Sequence, residues 1–237
     1  MKLTWIGGPS FRLELGPFLL VGDPVFVDRF ELEGTAVTRV TPRVVVDCSG
    51  ADAVLVTSAR ADHFDPTAIA HCGAAKVVGA AGVSGARVLA HGESVRIEKD
   101  GATLTITAVP AGDNGNGYFL KLEQGERPFT AYITGDTLFS EHTRELQQTH
   151  GYSNLLVIHV GAERAGNALR SPDGKEAMQI VYRMQPNAIA AVHHTSFSHY
   201  TEPIDPFLEK IGLTIYEKRL RVLREGESFE KVIAHSE

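Results

Sequence analysis

The sequence places an acid and an imidazole side by side, Asp62 and His63, in the short loop that follows the continuously apolar residues 53–57. That apolar run predicts a strand buried on both faces. Asp65 and Pro66 are typical of a helix N-cap and a first helical position, so a helix is expected to begin there. A loop between a strand and a helix is a position from which side chains can converge on a ligand or a metal ion. Taken alone, however, an Asp-His pair is more often a helix cap or a surface hydrogen bond.

Three more residues of the same kind follow apolar strands elsewhere in the chain. Asp136 lies in YITGDTLF, His193 ends AIAAVH, and Asp23 follows FLLVG. Acids and histidines that recur at strand ends, far apart in sequence, can assemble a metal site at the edge of a sheet. The alternative is structural: the two acids would cap turns and the histidine would be a hydrogen-bonded core residue.

The composition limits the classes of partner. The chain has 237 residues, 43% of them apolar, and a formal net charge of −6 with acids and bases interspersed. This balance argues against a nucleic-acid partner bound through phosphate neutralisation. No apolar run reaches 18 residues, so no membrane partner is expected. Two cysteines without motif spacing, Cys48 and Cys72, fit reduced thiols and predict a cytoplasmic protein. A small-molecule substrate is expected, and a homo-oligomer is an open alternative.

The elements that must position these residues fall into two strand-rich halves, each interrupted by helices. In the second half, Gly117–Glu123 and Phe129–Thr134 read as a hairpin, and a helix is expected over Glu141–Gln148. A further helix is predicted to open at Ser171 and Pro172, and a strand is expected over Ala188–His193. No linker separates the halves. We therefore expect a single domain over residues 1–237, with two sheets packed face to face and helices outside.

Several motifs, in their order along the chain, resemble those of the metallo-β-lactamase superfamily. They are WIGGPSF, GDPVF, VTSARADHFD, AVPAGD, YITGDT, VIHVGAER and AVHHTSFSHYTE. The branch they are most similar to is that of ascorbate-6-phosphate lactonase and its metal-dependent hydrolase relatives. The resemblance runs from Trp5 to about Glu202. It implies an α/β (α+β) fold, a four-layer αββα sandwich with two mixed sheets and the helices outside.

The resemblance also shows which metal ligands have changed. In the family's HxHxDH motif the first two histidines bind the first metal, and here they are Ser58 and Arg60. The third ligand of that metal corresponds to Asp113, and the histidine of the family's GHAS turn is Gly8. The resemblance implies that all four ligands of the second metal are retained, as Asp62, His63, Asp136 and His193.

A single metal position is therefore predicted. Arg60 is permanently cationic and has no lone pair to donate, so it cannot be a ligand. We expect it to fill the first position and to pair with Asp113 or Asp136. Two imidazoles and two carboxylates suit zinc, with manganese as an alternative. Asp62, His63 and His193 alone also form the two-histidine, one-carboxylate set of non-haem iron.

The leading functional hypothesis is a mononuclear hydrolase that acts on a small ester, lactone or phosphorylated metabolite. Asp62 or Asp136 would orient water or accept its proton, and Arg60 would stabilise negative charge. A second hypothesis is a metal-free protein of the same fold that binds a ligand or partner, and a third is iron-dependent oxidation. His159 is expected to be a core residue or to support the site. Five residues are expected to contact substrate or orient the ligands: Asp23, Ser58, Asp113, His194 and His199.

Overall fold

The computed structural model describes residues 1–112 and 114–232. Its strands in chain order are β1 (Lys2–Gly7), β2 (Ser10–Leu15), β3 (Phe18–Gly22), β4 (Arg29–Leu32), β5 (Thr35–Thr38), β6 (Ala53–Val56), β7 (Val77–Gly79), β8 (Arg87–Val88), β9 (Ser94–Lys99), β10 (Ala102–Ala111), β11 (Gly115–Glu123), β12 (Phe129–Ile133), β13 (Leu155–His159), β14 (Arg164–Ala165), β15 (Ala168–Leu169), β16 (Ile189–Val192), β17 (Leu220–Arg221) and β18 (Ser228–Glu230). The α-helices are α1 (Pro66–Cys72), α2 (Glu141–His150), α3 (Gly174–Met184) and α4 (Asp205–Gly212), and Glu217–Arg219 forms a 3-10 turn.

Most of these strands build two mixed sheets. Within the described ranges each sheet has seven strands, in the orders β18-β1-β2-β3-β6-β7-β8 and β17-β16-β13-β12-β11-β10-β9. The remaining strands form two small hairpins, β4–β5 and β14–β15. The second hairpin lies in residues 164–175, which the sequence presents as one long polar loop. The predicted hairpin before α2 is confirmed, with β11 and β12 antiparallel.

The two sheets pack face to face through the largest apolar cluster of the protein. Leu3 and Phe11 of the first sheet and Leu104, Ile106 and Leu120 of the second belong to this cluster and are fully buried. In β10 buried and half-buried residues alternate, because successive side chains point to opposite faces of a strand. Burial of apolar area between the sheets is the main stabilising contribution to such a sandwich.

Helices cover the outer face of each sheet, which completes the predicted αββα sandwich. Cys72 of α1 packs with Val54 and Val56 on the first sheet. On the second sheet, α2, α3 and α4 pack over β13 and β16. The predicted start of α3 is wrong by a few residues: its N-cap is Asp173, whose side chain accepts from Lys175 N and Glu176 N, and not Ser171. Across the described chain, no helix is long and apolar enough to cross a membrane.

Parallel pairing of the inner strands determines where a site can form. β3 and β6 run parallel in the first sheet, and β12, β13 and β16 run parallel in the second. The carboxyl ends of parallel neighbours meet at one edge of a sheet, and loops that leave this edge surround a common crevice. All strand-end acids and histidines singled out above leave from these five strands.

Candidate metal centre

Six acid and imidazole side chains follow the carboxyl ends of the five parallel strands. They are Asp23 after β3, Asp62 and His63 after β6, Asp136 after β12, His159 at the end of β13, and His193 after β16. Five of them are fully buried, and Asp136 is 8% exposed. Two of them, Asp23 and His193, have left-handed backbones with φ of 37° and 60°. Non-glycine residues in this region are strained, and such strain concentrates at functional sites.

The four residues predicted as metal ligands lie together. The His63 Nε2 atom is 3.1 Å from Asp136 Oδ2 and 3.4 Å from Asp62 Oδ2. The His193 Nε2 atom is 3.6 Å from Asp62 Oδ2 and 4.0 Å from Asp136 Oδ1. Ligands at about 2.1 Å from a tetrahedral cation are separated from one another by about 3.4 Å. The observed separations therefore resemble those of ligands around one cation more than those of hydrogen bonds.

Three of these four residues have buried donor atoms that lack a hydrogen-bond partner among the described residues. These atoms include both oxygens of Asp62, the Nε2 atom of His63 and both ring nitrogens of His193. A buried polar atom without a partner costs stability, so such atoms usually have a partner of another kind. The residues therefore fit a divalent cation that would accept their lone pairs.

Asp23 orients His63 from behind. Its Oδ1 atom accepts from Thr57 N at 2.6 Å, and its Oδ2 atom accepts from the Thr57 hydroxyl at 2.6 Å. The same Oδ2 atom lies 2.9 Å from His63 Nδ1. A carboxylate that accepts from one ring nitrogen fixes the proton there and leaves the other nitrogen free to bind a metal. This contact leaves His63 Nε2 for the centre.

His159 is part of the centre, although the sequence predicted a core or supporting residue. Its Nδ1 atom is 3.2 Å from Asp136 Oδ1, and its buried Nε2 atom has no hydrogen-bond partner among the described residues. Its ring stacks on those of His63 and His193, with centroids 5.6 and 4.9 Å away. Donor atoms of His63, Asp136, His159 and His193 all lie within 4.8 Å of one another. His159 thus supports Asp136 and is also placed to bind a cation.

The electrostatics of the cluster favour added positive charge. Burial opposes ionisation of Asp62 and Asp136, but their imidazole neighbours outweigh it, and the pKa of each carboxyl is well below its usual range. Burial also opposes protonation of His63, yet Asp136, Asp62 and Asp23 raise its pKa well above the ordinary value. For His193 burial prevails and lowers the pKa to about 4, so its ring is neutral at neutral pH. A neutral imidazole is the form that binds metals.

Arg60 lies beside this cluster, but its main partner differs from the prediction. Its Nη2 atom donates to Glu163 Oε1, its Nε atom is 3.4 Å from Asp62 Oδ1, and its Nη1 atom is 3.9 Å from Asp136 Oδ2. The expected pairing with Asp136 is therefore a long contact, and Asp113 lies outside the described residues. These acids outweigh the effect of burial and raise the pKa of the guanidinium.

Arg60 also leaves little space where the resemblance places the first metal. A cavity of about 20 Å³ remains there, lined by Ser58, Arg60, Asp136 and Arg170 among others. This volume is close to the minimum that one water molecule needs. The Ser58 Oγ atom accepts a hydrogen bond from Arg60 N at 3.2 Å, so Ser58 holds the backbone of this loop.

Glu163 is the functional candidate that the sequence analysis missed. It follows β13 in HVGAER, and its side chain is 7% exposed. Burial and the nearby Asp62 raise the pKa of Glu163, and the positive charge of Arg60 offsets only part of this increase. The available signal was its position just past an apolar strand, the same signal that identified Asp23, Asp136 and His193.

His194 and His199 lie on different sides of their turn. The His194 ring packs on Trp5, with centroids 4.4 Å apart, and its Nδ1 atom is 2.7 Å from the Thr195 hydroxyl. The His199 Nε2 atom is 3.4 Å from Asp62 Oδ2, so this residue adjoins the predicted ligands. Of the two, only His199 has an ion-pair contact with the centre in the part of the chain that the structure describes.

Gly8, at the position of the family's turn histidine, supports His193 through its backbone. Its carbonyl oxygen accepts from His193 N at 2.6 Å and from Trp5 Nε1 at 3.0 Å. Its φ is 55°, and a Cβ atom there would lie 2.7 Å from the ring of Phe197. A larger residue would therefore collide with Phe197 unless that ring moved.

Comparison with solved structures gives the same fold. An isothiocyanate hydrolase from Delia radicum gut bacteria superposes with a TM-score of 0.76 at 19% identity, covering 97% of this chain and 99% of that chain. A possible metal-dependent hydrolase from Veillonella parvula gives 0.73 at 17% identity, covering 97% and 98%. CmlA, a diiron β-hydroxylase from Streptomyces venezuelae, gives 0.58 at 14% identity, covering 81% of this chain and 44% of that chain.

Sequence comparison identifies the family. No curated protein sequence matches this chain. The family description that does match is that of the beta-lactamase superfamily domain, over residues 2–193. This range contains β1 to β16 and the six strand-end residues of the centre. Since the match covers most of the chain and the αββα sandwich agrees with it, the chain belongs to the metallo-β-lactamase superfamily.

Proposed function

We propose that this protein is a hydrolase that depends on a divalent cation, with zinc as the leading candidate. The cation would be held by Asp62, His63, Asp136 and His193. The observation that carries this proposal is their convergence from both sheets, with acid-to-imidazole separations of 3.1–4.0 Å. Buried donor atoms of Asp62, His63 and His193 also lack a hydrogen-bond partner among the described residues. When bound, such a cation would polarise a carbonyl or phosphoryl oxygen and make water a better nucleophile near neutral pH.

Of the two acids, Asp136 is the better candidate for accepting a proton from water. It borders the small cavity at the site, whereas Asp62 is fully buried. Its Oδ1 atom contacts His159 Nδ1 at 3.2 Å, which fixes the orientation of the carboxylate. A carboxylate with a fixed orientation at the edge of this cavity is placed to orient a water molecule and to accept a hydrogen bond from it.

Arg60 is the candidate for stabilising negative charge that develops on the substrate. Its side chain is 20% exposed and lines the same cavity as Asp136. Ion pairs with Glu163 and Asp62 hold the guanidinium in place. A positive group that is fixed before the reaction stabilises a developing oxyanion more than a mobile one does.

The substrate class is proposed from the resemblance of the motifs to the ascorbate-6-phosphate lactonase branch. It comprises small esters, lactones and phosphorylated metabolites. The superposed isothiocyanate hydrolase suggests isothiocyanates as a further substrate class, since their central carbon is also electrophilic. A suitable test set therefore contains an aryl ester, a γ-lactone, a phosphodiester and an aryl isothiocyanate.

The test is metal content followed by hydrolysis. Protein purified without chelator is analysed for zinc, manganese and iron per chain, and the panel is then assayed before and after metal removal. We expect His63→Asn and Asp136→Asn to lower both metal content and hydrolysis. His142→Asn is the matched control, since His142 is 36% exposed on α2 and contacts Glu145. Hydrolysis that survives complete metal removal would contradict the proposal.

Two alternatives make different predictions for the same samples. Arg60 already forms ion pairs with the acids, which favours a metal-free protein that binds a ligand; such a protein would contain no metal after this purification. Asp62, His63 and His193 form the set that suits ferrous iron, which favours an oxidative enzyme. An oxidative enzyme would consume oxygen only when loaded with iron.

A further inference from the structure

Arg60 contacts one oxygen of each of two buried acids, Asp62 and Glu163. The Asp62 Oδ1 atom faces Arg60 Nε at 3.4 Å, and Glu163 Oε1 accepts from Arg60 Nη2. Arg60 thus pairs with both carboxylates, through a hydrogen bond to Glu163 Oε1 and a longer ion-pair contact to Asp62 Oδ1. The other oxygens, Asp62 Oδ2 and Glu163 Oε2, are buried and have no hydrogen-bond partner among the described residues. Such oxygens are costly to bury unless a cation or a donor satisfies them.

Two imidazoles face the free Oδ2 atom of Asp62. The Asp62 Oδ2 atom is 3.4 Å from His199 Nε2 and 3.6 Å from His193 Nε2. The side chain of His199 is 9% exposed, and neither of its ring nitrogens has a hydrogen-bond partner in the described part of the chain. Its ring packs against Tyr200 at 4.3 Å and Phe30 at 5.9 Å, measured between centroids. This aromatic contact orients His199 without using its nitrogens.

The backbone that presents Glu163 is fixed on both sides. Glu163 N donates to Ser171 Oγ at 2.9 Å, and Glu163 O accepts from Arg170 N at 2.8 Å. The preceding Ala162 has a φ of 53°, which is strained for a residue with a Cβ atom. The two hydrogen bonds fix the backbone of Glu163, and the hydrogen bond to Arg60 holds its side chain in the interior.

We infer that Asp62, Glu163, His193 and His199 form a second cation position, which we call the Glu163 site. Ligand atoms of these four residues lie within 4.8 Å of one another. Two carboxylates and two imidazoles are a suitable donor set for zinc. Neither Glu163 nor His199 is among the ligands that the family resemblance supplies. The inference rests on the proposed function, since it adds a second cation beside the first.

Enough donors are present for both cations. His193 directs one atom, Nε2, toward both positions, so it can complete only one of them at a time. The position proposed above then retains His63 and Asp136 and can gain His159, whose Nε2 atom is unpaired. Each cation would have at least three protein ligands, which is the number that catalytic zinc sites use together with water.

The test measures zinc per chain on the full-length protein after zinc loading and removal of excess ion. Four variants are compared with the wild type: Glu163→Gln, His199→Asn, His63→Asn and the control His142→Asn. The glutamine of Glu163→Gln keeps the size and polarity of the side chain near Arg60. Circular dichroism and thermal unfolding in chelator show which variants retain the fold. Titration with Co²⁺, followed by visible absorption, gives an independent count of occupied positions.

We expect two zinc ions per chain in the wild type and in His142→Asn, and one in Glu163→Gln and in His199→Asn. One ion in the wild type that both of these variants retain would overturn the Glu163 site. If that ion is then lost in His63→Asn, the proposed function stands. The converse, one ion lost in Glu163→Gln and His199→Asn but kept in His63→Asn, would support the Glu163 site and contradict the ligand set proposed above. No bound ion in any sample would refute both.

Discussion

Replacing Arg60 with alanine tests whether this side chain acts as a positive charge that compensates the buried acids. In the wild type its guanidinium pairs with Glu163 and lies 3.4 Å from Asp62 and 3.9 Å from Asp136. These acids are at most 9% exposed in the wild type, so bulk water compensates their charges far less than the guanidinium does. Breaking a buried ion pair by removing one partner costs about 3–5 kcal/mol. For a chain of this length that loss lowers Tm by about 6–20 °C.

Added zinc should reverse part of this loss. A divalent cation supplies positive charge to the same carboxylates, and without Arg60 it binds with no guanidinium beside it. For each factor of ten by which Arg60→Ala binds zinc more tightly than the wild type does, zinc narrows the stability difference between the two proteins by about 1.4 kcal/mol. We therefore expect Arg60→Ala to bind zinc at least as tightly as the wild type and to show a smaller Tm deficit with zinc than with chelator. The assay is thermal unfolding under both conditions, with zinc content measured on the same samples.

The control is Arg144→Ala, which removes an arginine from an exposed pair. Arg144 and Glu141 on α2 have side chains that are 51% and 72% exposed. Such a pair contributes about 0–1 kcal/mol, so the control should unfold near the wild-type temperature in both conditions. If Arg60→Ala lost its zinc, or if its Tm deficit were the same with zinc as with chelator, the view of Arg60 as a charge that competes with the cation would be refuted.

Three further predictions concern the support of the centre. Asp23→Asn should weaken zinc binding by about 10–100-fold while leaving the fold intact, because the contact that orients His63 is altered; competition with a chromophoric chelator measures this. Gly161→Ala should lower both Tm and zinc content, because a Cβ atom there would lie 2.5 Å from His193 O at a φ of 118°; unchanged zinc content would contradict this. Removing metal from the wild type should lower its stability by about 2.7 kcal/mol relative to a sample with zinc at 100 times Kd, and an unchanged Tm would show that zinc does not bind the folded state.

Much of the fold follows from local patterns in the sequence. Residues 53–57 are continuously apolar, and β6 is buried at every position, as expected for an inner parallel strand. The alternation of Leu104, Ile106 and Ala108 gives the buried face of β10. The start of α3 was harder to predict, since Ser171, Pro172 and Asp173 all precede it. Asp173 is the cap because its carboxylate accepts hydrogen bonds from Lys175 N and Glu176 N, which neither of the two preceding residues does.

The centre was predictable only where the sequence has a motif. Asp62, His63, Asp136 and His193 stand in motifs of the family, and the structure places them close to one another. Glu163 was not identified, because a single glutamate after a strand resembles many surface acids. It acquires a role only through its long-range pairing with Arg60, 103 residues away in the chain. Contacts of this separation depend on the topology of both sheets and leave no local pattern.

Arg60, at a position where the family has a metal-binding histidine, changes the charge that the neighbouring side chains must compensate. Two histidines bring no net charge to a cation, whereas Arg60 brings one positive charge and several donors but no lone pair. Its charge must be compensated, and Glu163 provides the compensation from the opposite sheet. Arg60 contacts one oxygen of Asp62 and one of Glu163, and the second oxygen of Asp62 faces His193 and His199. The substitution that removes one cation position thereby orients the acids for another, on the side of Asp62 that faces His199.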